Sequence, residues 1–130
     1  MKPPVKRTRK RVTPPKRTIS KDVMAAVAAA ADKKAEGMVV LDLTKASAFT
    51  DFFVICTGTN RRQVQAIADG VEEALAKRGV KPALREGYDR GDWILIDYFD
   101  FIVHVFMPAT REFYSLERLW GDAQRIEVSA

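Results

Sequence analysis

The sequence has few of the side chains that build disulfides and metal centres. Its 130 residues include one cysteine, Cys56, and one histidine, His104. A single cysteine excludes an internal disulfide and suits a reducing compartment, and a single histidine excludes a multi-histidine metal site. Cys56 lies in the apolar stretch F-F-V-I-C-T, which predicts a small buried residue rather than a catalytic thiol. We expect neither a metal nor another cofactor.

Long apolar runs are also missing. No stretch approaches the roughly 20 apolar residues that a membrane helix needs, and the first twenty residues lack the apolar segment of a signal peptide. A transit peptide is a weaker alternative, because Pro3, Pro4, Pro14 and Pro15 oppose the amphipathic helix expected in one. We therefore expect a cytoplasmic protein that does not contact a membrane.

Positive charge is concentrated at the N-terminus. The first twenty residues hold eight of the 22 basic residues and no acidic one, which leaves 14 basic against 17 acidic residues and a net charge of −3 for the rest. We predict a disordered, basic, proline-rich tail over residues 1–19, a folded domain over 20–122 and a C-terminal tail over 123–130. The basic tail is either a phosphate-binding arm or a solubilising extension.

The hydrophobic pattern predicts an α/β (α+β) protein with a mixed sheet of roughly five strands and helices packed on it. The predicted elements are a helix over residues 21–36, strands over 38–43 and 52–57, a helix from 61 to about 78, an edge strand over 83–86, a hairpin over 93–106 and a helix from 109 or 110 to 120. Ser20 and Asn60 are the predicted N-caps of the first two helices, and Gly37 is the predicted end of the first.

Helical spacing also predicts which residues are buried. In the second helix the apolar stripe comprises Val64, Ile67, Val71 and Leu75. In the last helix it comprises Phe113, Leu116, Leu119 and Trp120, a pattern that is more often core than binding surface.

The hairpin is the most informative stretch. A turn at Phe99 and Asp100 places Trp93 opposite Phe106 and Leu95 opposite His104. One face then carries an apolar set: Ile94, Ile96, Tyr98, Phe101, Val103 and Val105. The other face carries a mixed set: Trp93, Leu95, Asp97, Ile102, His104 and Phe106. The apolar face should be core, whereas an indole, a carboxylate and an imidazole together are unusual in a buried face.

The hairpin lacks the set of groups that an enzyme needs. Asp97 and His104 lie diagonally on one face, which predicts a hydrogen-bonded pair that orients the surface around Trp93; a purely structural histidine is the alternative. No serine or cysteine lies in the hairpin to act as a nucleophile. Asp97 and Asp100 point to different faces and make a poor acid–base pair. We predict no catalytic residue.

Three stretches resemble the ribosomal silencing factor family, also called the Iojap family. They are D-F-F-V-I-C-T-G-T-N-R-R-Q-V-Q-A-I-A-D-G-V-E-E at 51–73, W-I-L-I-D-Y-F-D-F-I-V-H-V-F at 93–106 and R-E-F-Y-S-L-E-R-L-W at 111–120. The resemblance spans residues 21–122. It implies a nucleotidyltransferase-like fold without catalysis. It also implies binding to a ribosomal protein on the subunit-facing side of the large ribosomal subunit, which blocks joining of the small subunit and represses translation when nutrients are short.

The family motifs and the aromatic hairpin together predict the partner-binding residues. These are Trp93, Leu95, Asp97, Tyr98, Phe99, Asp100, His104, Arg111 and Tyr114. Phe99 departs from the family, in which glycine is common at this position, and we expect a protruding Tyr98–Phe99 corner there. The basic tail would add a contact with ribosomal RNA, through Lys6, Arg7, Arg9, Lys10 and Arg11.

Three other possibilities remain open. A nucleotidyl-transferring enzyme would need a rearranged set of acidic residues and would bind nucleotide with magnesium. An RNA-binding adaptor led by the tail would bind naked RNA, although the acidic domain opposes this as the main activity. The hairpin edge and aromatic face would also suit a homodimer of the free protein.

Overall fold

The structure, a computed structural model, describes residues 20–46, 48–121 and 123–128. The elements are α1 (Lys21–Asp32), β1 (Glu36–Asp42), β2 (Phe52–Thr57), α2 (Arg61–Lys77), β3 (Leu84–Glu86), β4 (Trp93–Asp97), β5 (Phe101–Phe106), α3 (Pro108–Tyr114), α4 (Leu116–Leu119) and β6 (Gln124–Glu127). The predicted basic tail, residues 1–19, lies outside the described residues.

One mixed sheet organises the fold, in the strand order β3-β4-β5-β2-β1-β6. Its central pair, β2 and β5, is parallel, and the other neighbouring strands are antiparallel. The predicted mixed α+β architecture is confirmed, but the sheet has six strands rather than five. The extra strand, β6, pairs with β1 in the segment predicted to be a tail. Its four residues contain little apolar pattern, so pairing with β1 rather than local sequence defines it.

The hairpin register is as predicted. Trp93 pairs with Phe106, Leu95 with His104 and Asp97 with Ile102. β5 is buried along its whole length because both faces of the sheet are covered. The sequence pattern alone would have allowed one face to remain open to solvent.

Each face of the sheet supports its own hydrophobic core. On one face α1 and α2 cover the apolar side of the hairpin, and the predicted stripe of α2 is fully buried, namely Val64, Ile67, Val71 and Leu75. Ser20 and Asn60 cap these helices by accepting the backbone N–H of Val23 and Gln63. On the other face, Leu116 and Trp120 of the C-terminal helical region pack against a second core that includes Ile55 and Phe106.

Gly37 does not end the first helix. The helix stops at Asp32, and Lys34 makes the turn with a φ of 68°. Gly37 instead lies in β1 with a φ of 59°, where the register with β2 is irregular. A Cβ atom at Gly37 would stand 2.8 Å from Nη1 of Arg111, so glycine also makes room for that guanidinium.

The last helix is interrupted. Ser115 adopts a left-handed conformation with a φ of 46° and separates α3 from α4. The break rotates the second segment, so that Leu116 and Trp120 pack on the sheet while Phe113 and Leu119 are 79% and 72% exposed. The prediction of one core-facing stripe is therefore wrong for Phe113 and Leu119.

The turn of the hairpin yields a stability prediction. Phe99 has a φ of 71°, a backbone conformation that is strained for residues other than glycine. Its side chain is 74% exposed, so burial of the ring offsets little of that strain. We expect Phe99→Gly to raise the free energy of unfolding by about 0.5–1 kcal/mol, because glycine adopts a positive φ without strain. Urea unfolding measures the change.

Phe49 provides the matched control for this substitution. It is 77% exposed, and its φ is not positive. Phe49→Gly should therefore leave stability unchanged or lower it, by up to about 1 kcal/mol. A Phe99→Gly variant that is no more stable than the natural protein would contradict the interpretation of the turn.

Candidate functional site

An aromatic cluster forms where β4 begins. The Trp93 ring stacks on Phe106 with ring centroids 5.0 Å apart and packs against Tyr114 at 4.8 Å. Tyr114 in turn meets the edge of Phe113 at 5.0 Å. The cluster thus runs from the buried face of the sheet out to the surface of α3.

The outer part of this cluster is an exposed apolar surface. Phe113, Tyr114 and Leu119 are 79%, 50% and 72% exposed, and all three line a shallow depression on α3 and α4. We call these three residues, together with the half-buried Trp93 of β4 that packs against Tyr114, the α3–α4 surface. Large apolar side chains that cluster on a surface mark sites of protein association, and aromatic residues with buried supports are the usual anchors of such sites.

An open cleft adjoins the α3–α4 surface. Its apolar lining comes from Trp93, Leu95 and Tyr114, and charged side chains including Arg90 and Asp92 also line it. Protein interfaces likewise combine apolar and aromatic residues with polar ones. Three of the predicted partner-binding residues, Trp93, Leu95 and Tyr114, are therefore brought together.

Arg111 fixes the helices that carry this surface. Its Nε and Nη2 atoms donate to the two carboxylate oxygens of Glu117 at 3.2 and 2.9 Å, and Nη1 donates to the Thr57 hydroxyl at 2.8 Å. The hydrogen bonds from Arg111 lower the pKa of the Glu117 carboxyl, so the ion pair persists at neutral pH. Arg111, predicted to contact a partner, thus joins α3 to α4 and to the end of β2.

His104 is a core residue and a hydrogen-bond acceptor. It is 3% exposed, and its Nδ1 accepts the indole N–H of Trp93 at 3.1 Å. The predicted hydrogen bond between Asp97 and His104 is wrong, because Asp97 Oδ1 accepts the backbone N–H of Phe99 at 2.8 Å instead. Asp97 lies next to the hairpin turn and can satisfy that turn, whereas Trp93 lies beside the imidazole.

Tyr98 does not protrude at the corner as predicted. Its side chain is 6% exposed and stacks on Phe101 at 5.0 Å, within the core beneath α1 and α2. Burial, followed by the nearby Glu72 carboxylate, raises the pKa of the Tyr98 hydroxyl to about 12. Of the two residues, only Phe99 projects from the corner, because it lies in the turn between β4 and β5 with a φ of 71°.

Phe99, Asp97 and Asp100 lie at the opposite end of the hairpin from Trp93. At ~3.3 Å per residue, the turn is about 15–20 Å from Trp93. The Thr50 hydroxyl donates to the Phe99 carbonyl at 2.7 Å, which ties the turn to the loop that carries the exposed Phe49. The predicted binding residues therefore fall into two surface regions and a buried set rather than into one surface.

The sequence pattern does not predict the exposure of Phe113, Leu119 and Phe49. For Phe49, one aromatic within the polar stretch T-K-A-S-A-F-T-D was the available signal. For Phe113 and Leu119 no local signal was available, since helical spacing assumes an uninterrupted helix.

The described residues do not form a metal centre. Within 20–46, 48–121 and 123–128, no group of three or more histidine, cysteine, aspartate or glutamate side chains is placed to hold a metal ion. Cys56 is fully buried, and burial raises the pKa of its thiol to about 12, so it stays protonated. In the same part of the chain, no helix is long and apolar enough to cross a membrane.

Comparison with known proteins identifies the family. Residues 16–130 match the family described as "Ribosomal silencing factor during starvation". The chain belongs to this family. The resemblance carried by the stretches at 51–73, 93–106 and 111–120 is thereby confirmed. The members of this family are ribosome-associated regulators of translation, and it is not a known enzyme family.

Individual relatives cover nearly the whole described domain. The ribosomal silencing factor of Halalkalibacterium halodurans is 45% identical over 103 residues, which cover 79% of this chain and 88% of that protein. A mouse protein named mitochondrial assembly of ribosomal large subunit protein 1 is 30% identical over 105 residues, covering 75% of this chain and 46% of that protein. A crystal structure from Chromobacterium violaceum has a TM-score of 0.76 and 34% identity, covering 85% of this chain and 91% of that one.

The buried imidazole makes stability depend on pH. Burial lowers the pKa of His104 from 6.5 to about 3, so between these values the unfolded chain binds a proton that the folded chain does not. The contribution of the neutral His104 to the free energy of unfolding is therefore fully present above pH 6.5 and is lost as the pH decreases toward 3. At pH 5 we expect His104 to reduce the free energy of unfolding by about 2 kcal/mol relative to pH 7.

Urea unfolding at pH 7 and pH 5 measures this loss, and His104→Asn is the control because it has no titrating ring. The variant should lose about 2 kcal/mol less than the natural protein between the two pH values. Equal losses in both proteins would contradict the assignment to His104.

Proposed function

We propose that this protein represses translation in the cytoplasm by binding the large ribosomal subunit. It binds a ribosomal protein on the subunit-facing side, blocks joining of the small subunit and acts when nutrients are short. The family to which it belongs supports a silencing role at the ribosome during starvation, and the name of the mouse relative supports the large subunit as its site. The single observation that carries the proposal is the exposed, rigidly supported α3–α4 surface.

The chemistry of this surface favours a protein as its direct partner. Phe113, Tyr114 and Leu119 offer rings and an aliphatic side chain, which bury well against another protein. The chain after the first twenty residues has a net charge of −3, which disfavours a contact made mainly with the phosphates of RNA. A bound domain of sufficient size would then block subunit joining sterically, without catalysing a reaction.

The predicted binding residues take different parts in this proposal. Trp93, Leu95 and Tyr114 contact the partner directly, and Phe113 and Leu119 extend the contact. Arg111 holds α3 and α4 in place. His104 and Tyr98, both buried, act from inside the domain.

The corner at the other end of the hairpin adds a contact of its own. Phe99 is exposed there, and Asp97 and Asp100 stand beside it. We assign these three residues to the edge of the interface. The free protein would bury its exposed apolar side chains by pairing with a second copy, and such a homodimer would compete with the ribosome.

Enzymatic nucleotidyl transfer gains no support from the described residues. That chemistry needs carboxylates that converge on magnesium. Asp69 and Glu72 lie on α2 and interact with Arg85, so they are used in ion pairs. We infer that the protein acts without catalysis.

Substitutions in the α3–α4 surface test the docking proposal. Phe113→Ala and Leu119→Ala each remove an exposed side chain and should leave folding intact. Each is expected to weaken binding to purified large subunits by about 1 kcal/mol or more, and Trp93→Ala by about 2 kcal/mol or more. Fluorescence titration with large subunits measures the affinities, and thermal unfolding verifies that each variant is folded.

Met24→Ala is the matched control, since Met24 is an exposed apolar residue on α1. This variant should bind as the natural protein does. Unchanged binding by the three folded surface variants would refute the assignment of the surface.

The basic tail is expected to contact ribosomal RNA, through Lys6, Arg7, Arg9, Lys10 and Arg11. Deleting residues 1–19 should lower affinity at low salt and flatten the plot of log affinity against log salt, by about one unit of slope for each phosphate that the tail neutralises. Titrations of large subunits at several salt concentrations measure the slope. An unchanged slope and affinity would show that the tail does not bind the RNA.

A further inference from the structure

We propose that His104 is a positioning residue, which fixes the orientation of the Trp93 indole within the α3–α4 surface and so sets the affinity for the partner without touching it. This inference rests on the function proposed for that surface. The decisive contact is the hydrogen bond from the indole Nε1 of Trp93 to Nδ1 of His104, 3.1 Å long.

The imidazole is well placed to hold the indole. His104 is 3% exposed and lies on the same face of the hairpin as Trp93, in a diagonal relation across β4 and β5. The Phe53 ring stands at 4.5 Å and the Phe106 ring at 6.0 Å, so aromatic neighbours keep the imidazole from turning. A fixed acceptor fixes its donor, because a hydrogen bond weakens steeply when its angle departs from linear.

The hydrogen bond also determines where the imidazole proton lies. Since Nδ1 accepts, the neutral ring must carry its proton on Nε2. Nε2 is buried and, among the described residues, has no hydrogen-bond partner. A buried N–H without a partner lowers the free energy of unfolding. We infer that this loss is tolerated because the other nitrogen is needed as the acceptor for Trp93.

The orientation of Trp93 propagates to the exposed surface. One part of the indole stacks on the buried Phe106, and Tyr114 packs against it at 4.8 Å. Tyr114 then contacts Phe113. Without an acceptor at position 104, the indole N–H would turn toward water, and the support beneath Tyr114 and Phe113 would shift.

Two substitutions separate the acceptor from the bulk of the histidine. His104→Asn places an amide oxygen near the position of Nδ1 and can still accept, whereas His104→Leu fills a similar volume without an acceptor. We expect the indole N–H resonance of Trp93 in the free protein to stay hydrogen-bonded in the Asn variant and to move in the Leu variant. Trp120→Phe assigns the resonance, because it leaves Trp93 as the sole tryptophan.

Affinity for large subunits provides the second measurement. The Asn variant should bind within about threefold of the natural protein, and the Leu variant about tenfold more weakly. In a Trp93→Phe background, which has no indole N–H, His104→Leu should cause no further loss, because His104 acts only through that group. His104→Met replaces the Leu variant if thermal unfolding shows that Leu prevents folding.

The outcomes distinguish this inference from the function on which it rests. An unchanged indole resonance in the Leu variant, or an Asn variant as impaired as Leu, would overturn the positioning role. A further loss in the Trp93→Phe background would also overturn it, because His104 would then act through another group. The expected resonance shift with unchanged affinity in every variant would uphold the fixing of Trp93 but overturn its role in docking.

Discussion

The positions of α3 and α4, and of the surface they carry, depend on the ion pair between Arg111 and Glu117. This fork of two hydrogen bonds spans the left-handed break at Ser115, and the third donor of Arg111 reaches Thr57 at the end of β2. α3 and α4 have seven and four residues, lengths at which helices are unstable alone. Their geometry is therefore imposed by this contact and by packing on the sheet, and the exposed side chains on them inherit its rigidity.

Coverage of both sheet faces explains the unusual polar residues of the hairpin. An imidazole and an indole on a solvent-exposed face would find their partners in water. Because Leu116 and Trp120 cover that face, the indole N–H of Trp93 is satisfied by Nδ1 of His104 rather than by water. Trp93 contacts the buried His104 on one side and Tyr114 of α3 on the other. The core and the candidate interface are therefore in direct contact through Trp93.

Features determined by local patterns were predictable from the sequence, and features determined by distant contacts were not. The short corner at Phe99 and Asp100 predicted the hairpin register, and helical spacing predicted the buried face of α2. By contrast, β6 exists through pairing with β1. Gly37 is required partly by Arg111, more than seventy residues away in the chain. The exposure of Phe113 follows from the backbone at Ser115, which no periodicity reveals.

We propose that this domain occupies the large subunit and thereby excludes the small one. Sucrose-gradient sedimentation of the purified protein with separated small and large subunits, alone and mixed, tests it most directly. We expect the protein to sediment with the large subunit only and whole ribosomes to decrease as protein is added. Sedimentation with neither subunit at moderate salt, or with whole ribosomes that remain intact, would contradict it.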